Sequence, residues 1–422
     1  MKYYKSLFPA LLCFILIITA ISEVNGQLTN GKSGQMLTGQ LAPTPPMGFN
    51  TWNTFQTKIS EEMLKEMVDS FVSSGMRDAG YRYFVLDDGW MAMERDQNGS
   101  LIADPVKFPH GMKAFSDYVH GKGLKFGIYN CAGTKTCAGY PGTRGHEYED
   151  ARLYASWGVD FLKYDWCNTD SLNTPEAYKT MSAALRANGR PIVFSLCEWG
   201  DHAPWLWAGG VGDLYRTTGD ITASFINNKR FGTWSAQSVI NILDKQIPIR
   251  KYNGPNHWND PDMLEVGNGM SYTEDKSHFS LWCMLSAPLA AGNDLRKMSP
   301  QTKTILTNKE MIAVDQDSLG IAAFKMVFPD SVEVWIKPLQ SKSFVLCFLN
   351  RTSSPRKINL TWKDLNITDP QSDLDIHFDR QAFSYRDLWQ KENSGKSSKS
   401  FVREIASHDV IVLRMEPVAG FK

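Results

Sequence analysis

The stretch Gly158–Cys167, GVDFLKYDWC, gathers reactive side chains at the end of an apolar run. Val159, Phe161 and Leu162 predict a buried β-strand, with Gly158 as the turn before it. Side chains two apart share a face of a strand, so Lys163 and Asp165 point one way while Tyr164 and Trp166 point the other. An ammonium beside a carboxylate lowers the carboxylate's pKa and holds it ionised. An ionised, oriented carboxylate at the C-terminal end of a strand can serve as a nucleophile. Taken alone, K-x-D reads equally well as a structural ion pair. The deciding question is how many other strands end in the same manner.

From Pro43 onward, short apolar runs end in polar residues and alternate with helical patterns. The strand candidates are Phe49–Trp52, Tyr81–Asp88, Leu124–Asn130, Val159–Asp165, Pro191–Glu198, Asp213–Asp220, His257–Met263 and Ala287–Asp294. Ser60, followed by Glu61 and Glu62, predicts the N-cap of an intervening helix. Alternating strands and helices predict a parallel sheet, and eight such units over roughly 250 residues predict a (β/α)₈ TIM barrel for residues 43–320. An open doubly wound sheet would carry a Gly-rich phosphate loop after an early strand, and none is found. In a barrel the strand C-termini share one mouth. The mouth then holds Trp52, Asp87, Asp88, Asn130, Asp165, Glu198, Arg216, Asp220, Asp262 and Asn293. Such a set suits a polyhydroxylated ligand, with Trp52 offering a stacking face. Beyond about residue 320 the helical pattern stops. Val332–Ile336, Ser343–Leu349 and Val410–Leu413 predict an antiparallel β-sandwich domain over 321–422.

The chain has 422 residues and a formal net charge of zero, so nothing argues for nucleic acid as a partner. Lys2 and Lys5 precede an apolar run, Leu7–Ile21, and Val24-Asn25-Gly26 offers a cleavage site, so residues 1–26 read as a signal peptide. The run is short for a transmembrane anchor, and no span is expected in the mature chain. Export to a secreted or periplasmic location follows. Residues 27–42 are polar and Gly/Ser-rich and read as a flexible lead-in. Cys13 would leave with the signal, and Cys131, Cys137, Cys167, Cys197, Cys283 and Cys347 would remain. Export permits disulfides, but the pairing is not legible from spacing.

Cleaving a glycosidic bond needs two carboxylates, one to attack or activate water and one to protonate the leaving oxygen. Asp165 is the first candidate. Asp220, in YRTTGDI with Arg216 four residues before it, is the second; Asp87 or Asp88 is the alternative acid. At this point the sequence resembles the α-galactosidases of glycoside hydrolase family 27. The motifs are PPMGFNTW (Pro45–Trp52), VLDDGW (Val85–Trp90), KTCAGYPG (Lys135–Gly142), WGVDFLKYDWC (Trp157–Cys167), CEWG (Cys197–Gly200), RTTGDI (Arg216–Ile221), NDPDML (Asn259–Leu264) and APL…ND (Ala287–Asp294). They stand in family order over most of residues 43–320. The resemblance implies a retaining mechanism with Asp165 as nucleophile and Asp220 as general acid/base. It implies sugar binding by Trp52, Asp87, Asp88, Tyr129, Lys163, Glu198, Trp199, Arg216 and Met263. It also implies a Cys137–Cys167 disulfide beside the pocket, a galactose-containing carbohydrate as substrate, and neither metal nor other cofactor. A further family disulfide is missing, because its places hold Gln56 or Thr57 and Gly89. Asp88 is not enlarged to the Glu that favours β-L-arabinopyranosides. Glu198 stands where α-N-acetylgalactosaminidases of the family have Ser. Both points favour plain galactose. A galactose-binding protein on a dead barrel would be expected to lose one carboxylate of the pair, and this chain keeps both.

Overall fold

The computed structural model describes residues 41–327 and 332–418; the apolar N-terminal stretch, Cys13 and the polar residues up to 40 lie outside the described residues. Eight parallel strands follow one another in sequence and in space: β1 (Met47–Asn50), β2 (Tyr83–Val85), β3 (Lys125–Cys131), β4 (Phe161–Asp165), β5 (Val193–Cys197), β6 (Leu214–Arg216), β7 (Trp258–Asp260) and β8 (Leu289–Ala291). β8 pairs with β1 in parallel. Between β7 and β8 the ring closes on Leu264, four residues past the end of β7. Its N–H donates to the Ala290 carbonyl at 2.7 Å, and its carbonyl accepts from Gly292 N–H at 3.2 Å. All eight strand candidates contain strands; β1 and β3 are as long as their runs but shifted by one or two residues, and the other six are shorter. Several polar residues at the run ends lie in loops: Asp87 and Asp88 follow β2, and Asp220 lies four residues past β6.

Helices α1 (Glu61–Ser73), α2 (Gly111–Gly121), α3 (Glu147–Trp157), α4 (Thr174–Ala187), α5 (Val239–Gln246) and α6 (Tyr272–Leu285) run between the strands, with α7 (Pro300–Leu306) and α8 (Lys309–Asp315) after β8. The Ser60 hydroxyl caps α1 by accepting from Met63 N–H at 3.3 Å. α1 buries Leu64, Met67, Val68 and Phe71, the spacing of one helical face. Alternation along β4 is the one expected: Leu162, Tyr164 and Trp166 pack outward among the helices, while Phe161 joins the lumen cluster of Tyr83, Val85, Val193, Leu214 and Trp258. Ala42 closes this cluster from below. It is buried, and its carbonyl accepts from Trp258 Nε1–H at 2.8 Å. The end of the stretch whose composition suggested a flexible lead-in is thus the plug of the barrel floor.

The second domain is antiparallel, as expected. Its strands are β9 (Phe324–Val327), β10 (Val332–Pro338), β11 (Phe344–Asn350), β12 (Arg356–Leu360), β13 (Asn366–Asp369), β14 (Leu374–His377), β15 (Phe383–Asp387), β16 (Glu392–Lys396), β17 (Phe401–Ile405) and β18 (Val410–Pro417). The main sheet has the order β9-β10-β11-β18-β15-β16, while β12 pairs with β17 and β13 with β14. β11 is apolar from Phe344 to Leu349 because both its faces are buried. Val345, Cys347 and Leu349 join the barrel's core, while Phe344, Leu346 and Phe348 face the sandwich interior. Ion pairs cross between the domains at Arg250–Asp369, 2.7 Å, and Lys276–Asp409, 2.6 Å.

Thr57, not Gln56, stands opposite Gly89. A Cβ built on Gly89 would come 2.9 Å from the Thr57 Cβ. Disulfide-bonded Cβ atoms lie about 3.5–4.5 Å apart, so a small outward shift would let a bridge form. Gly89 has φ +90°, which a side chain tolerates at a cost of order 1 kcal/mol. Closing a loop of roughly 30 residues is worth about 3–4 kcal/mol. The double variant Thr57→Cys/Gly89→Cys should therefore oxidise to a bridge and gain about 1–3 kcal/mol in denaturant unfolding. Two free thiols persisting under oxidant would contradict this pairing.

Candidate active site

The mouth is built from the ends of β1 to β7. In β4, Lys163 and Asp165 face the lumen side, and β5 pairs with β4 so that Ser195 stands beside Lys163 and Cys197 beside Asp165. Parallel neighbours in register face the same way. Cys197 is therefore the wall residue next to Asp165, and its Sγ lies 3.6 Å from Arg216 Nη1. Glu198 does not join this face, contrary to the expectation from the sequence. It is fully buried, and Oε2 accepts from His202 N–H at 2.6 Å and meets His202 Nδ1 at 2.9 Å. Its Oε1 accepts from Gly200 N–H at 3.1 Å. The carboxylate ties down the turn after β5. Trp199 follows with φ +60°, half-buried against the core.

Lys163 also departs from expectation. Its ammonium donates to Asp87 Oδ2 at 2.8 Å rather than to Asp165. Both oxygens of Asp87 are engaged: Oδ2 also accepts from Asn50 Nδ2–H at 2.7 Å, and Oδ1 accepts from Asp88 N–H at 2.9 Å. The adjacent Asp88 accepts from Ala138 N–H at 2.8 Å through Oδ2, while its Oδ1 is buried without a partner. An oxygen of this kind is open to a hydroxyl donor. Burial pushes the Asp88 carboxyl up to about 6, against the hydrogen bonds from Ala138 and Thr136.

Asp165 is 6 % exposed and accepts from Tyr129 O–H at 3.0 Å and from Trp166 N–H at 2.9 Å. Burial pushes its carboxyl up to about 6, and the nearby Lys163 charge only moderates the rise. The expected effect of Lys163 is present, but desolvation exceeds it. Cys137 and Cys167 are bridged, as the resemblance implied, and a carboxylate oxygen of Asp165 lies within 4.8 Å of both sulfurs. The bridge is held close by Gly133, where a side chain would collide with the Cys167 carbonyl. Cys131, Cys197, Cys283 and Cys347 are buried free thiols.

Asp220 lies across from this wall with its side chain 46 % exposed, and Arg216 Nη2 donates to its Oδ1 at 3.2 Å. Arg216 itself is buried, and its Nε–H has no partner within the protein. Asp220 is close enough that its charge disfavours ionisation of Asp165. Lys163, Arg216, Asp262 and Met263 are among the residues lining a lumen cavity of about 50 Å³. Trp52 is half-buried on the helical turn after β1, its N–H donating to Asn50 Oδ1 at 2.9 Å. The loops after β5 and β6 extend outward with exposed Leu206 and Trp234, 65 % and 52 % accessible. The mouth thus pairs one buried and one half-exposed carboxylate, flanked by unpaired donors and acceptors suited to sugar hydroxyls.

A family profile described as Alpha galactosidase A matches residues 44–317, and one for the alpha galactosidase C-terminal beta sandwich domain matches 329–415. The chain is 48% identical to alpha-galactosidase A of Cellvibrio japonicus over 401 residues, covering 95% of this chain and 99% of the relative. The structure of alpha-galactosidase I from Mortierella vinacea superposes with a TM-score of 0.83 at 35% identity, covering 90% of this chain and 99% of that one. That of the Saccharomyces cerevisiae alpha-galactosidase with raffinose gives 0.81 at 30% identity, covering 89% and 98%. With this barrel, this sandwich and these relatives, the chain belongs to the α-galactosidases of glycoside hydrolase family 27 and is a glycoside hydrolase.

Proposed function

We propose that the chain is an exported, retaining exo-α-galactosidase. It removes terminal α-linked D-galactose from oligosaccharides or polysaccharides through a covalent galactosyl-enzyme. The observation that carries the reading is the contrast between two carboxylates on one mouth. Asp165 is buried against a disulfide, while Asp220 is open to solvent and fixed by Arg216. A nucleophile gains from a dry, rigid seat, whereas an acid/base must first meet the leaving group and then water.

In the first step an oxygen of ionised Asp165 bonds to the anomeric carbon as the glycosidic C–O bond breaks. The electron pair goes to the leaving oxygen, which takes the proton of Asp220. In the second step Asp220 removes a proton from water, whose oxygen displaces Asp165 and restores the original anomeric configuration. Asp87, Asp88, Lys163 and Arg216 hold the sugar, with Tyr129 steadying Asp165 and Trp52, Trp199 and Met263 framing the pocket. The Cys137–Cys167 bridge supports an oxidising compartment and hence export. The preference for galactose rests on Asp88; Glu198, turned away from the pocket, no longer argues against a 2-acetamido group. Rates on nitrophenyl glycosides of α-galactose, β-L-arabinopyranose and α-N-acetylgalactosamine should favour the first by at least about 10-fold, as loss of a matched hydroxyl partner requires. A higher rate on either rival sugar would replace this assignment.

Asp165→Asn should reduce kcat on galactosides by at least about 10⁴-fold, as for other removed nucleophiles. Retention of more than about 1% of the activity would remove Asp165 from the role. The free enzyme needs Asp165 ionised, and its carboxyl titrates at about 6. The acidic limb of kcat/KM should therefore fall below about pH 6, and full activity at pH 4.5 would contradict it. Stability runs the other way. A carboxyl raised in the folded state stabilises below its unfolded value near ~4, and that contribution is lost as pH rises through about 6. Asp165→Asn should thus unfold at higher denaturant than the parent at pH 8, by up to about 2–3 kcal/mol, with the gap closing toward pH 4.

A further inference from the structure

The motif NDPDML contributes Met263 to the pocket, but its second carboxylate, Asp262, has no part in the chemistry described above. Asp262 is buried at 4 % exposure and has φ +86°, strained for a residue with a side chain. Strain of this kind persists only where the surroundings over-determine the residue. Here every polar atom of Asp262 is engaged. Its N–H donates to Asp260 Oδ1 at 2.9 Å, and its carbonyl accepts from Trp282 Nε1–H at 2.8 Å. Its Oδ1 accepts from Met263 N–H at 2.8 Å. Its Oδ2 accepts from Ile221 N–H at 2.8 Å and pairs with Arg216 Nη2 at 2.9 Å.

The last two contacts bracket Asp220. Ile221 is the next residue in the chain, so its N–H belongs to the peptide unit that begins at the Asp220 carbonyl. That carbonyl in turn accepts from Gln237 N–H at 2.7 Å. Arg216 is the group that holds the Asp220 carboxylate, and the same Nη2 also donates to the Thr218 carbonyl at 3.0 Å. One carboxylate oxygen on β7's far side therefore fixes both the backbone and the side-chain partner of Asp220. The Asp262 charge also offsets the buried guanidinium, so Arg216 is shared between two carboxylates.

We infer that Asp262 is a positioning residue for the proton donor: it sets where Asp220 stands against the leaving oxygen and does not itself touch substrate. This rests on the reading of Asp220 as the acid/base. Asp220 serves both steps, but kcat/KM reports the first, where the consequence depends on the leaving group. A displaced acid slows departure of a poor leaving group that needs a proton, but barely affects one that leaves as a stable anion. A residue that merely supported the fold would slow both alike.

The test is Asp262→Asn. Asn tolerates positive φ and keeps an oxygen for Ile221 N–H, but it loses the charge that engages Arg216. The variant should lose about 10–100-fold in kcat/KM on an α-galactosyl disaccharide, the range expected when a catalytic group is misplaced by about 1 Å. On 2,4-dinitrophenyl α-galactoside it should lose less than about 3-fold. Asp220→Ala should show the same leaving-group dependence more strongly, and Asp262→Asn should cost much less in the Asp220→Ala background than alone. An equal loss on both substrates, no loss on either, or full additivity with Asp220→Ala would overturn the inference. If the parent enzyme hydrolyses neither substrate, or if Asp220→Ala shows no leaving-group dependence, the reading of Asp220 fails instead. If Asp262→Asn does not fold, Asp262→Glu supplies the comparison. It keeps the charge but moves it by one methylene, and it should again lose more on the disaccharide than on the dinitrophenyl galactoside.

Discussion

The site depends on two cations, Arg216 buried and Lys163 largely so, set among carboxylates at the top of a closed barrel. Lys163 and Arg216 are surrounded by Asp87, Asp165, Asp220, Asp260 and Asp262. Burial works against ionisation of Asp165, Asp260 and Asp262. Burial already lifts Asp165 and Asp88 to about 6. Removing one partner of a buried ion pair typically costs about 3–5 kcal/mol, so neither cation can be lost without disturbing the whole set. Their pairings divide the mouth. Lys163 with Asp87 anchors the galactose-binding side, and Arg216 with Asp262 anchors the side of the proposed proton donor.

The barrel makes this arrangement possible by its register. Strands in parallel register bring Lys163 and Asp165 of β4 beside Ser195 and Cys197 of β5, on one wall. The lower lumen is filled by Tyr83, Val85, Phe161, Val193, Leu214 and Trp258, and Ala42 seals the floor. The charged layer therefore rests on a packed apolar base rather than on water. The second domain braces the barrel through β11, whose alternate side chains belong to the two cores.

Much of this was legible in the sequence because a barrel strand buries both faces until its end, and polar residues appear only there. The eight units, the mouth and the β4 pair follow from that rule. The departures have two physical causes. Alternation holds only while the backbone stays extended, and beyond the last paired residue it does not fix direction. Glu198 lies one residue past β5, so its side faces away from Asp165 and into the turn at His202. Its position at the end of the apolar run and the family resemblance both place it at the mouth, whereas counting two residues from Ser195 selects Cys197. Lys163 was assigned to its neighbour on the same strand, whereas its partner is Asp87 on a loop two strands away. No spacing reports such a contact. The Asp262 clamp was equally hidden, since a positive φ at a non-glycine residue leaves no mark on sequence pattern.

The account stands on the claim that Asp165 bonds to the anomeric carbon. The direct measurement is to incubate the enzyme with an activated fluorogalactoside whose second step is slow, and then locate the adduct by mass spectrometry of its peptides. The account requires one galactosyl-derived group per chain, on the peptide carrying Asp165. A label on Asp220, or complete turnover with inverted product and no label at all, would contradict it.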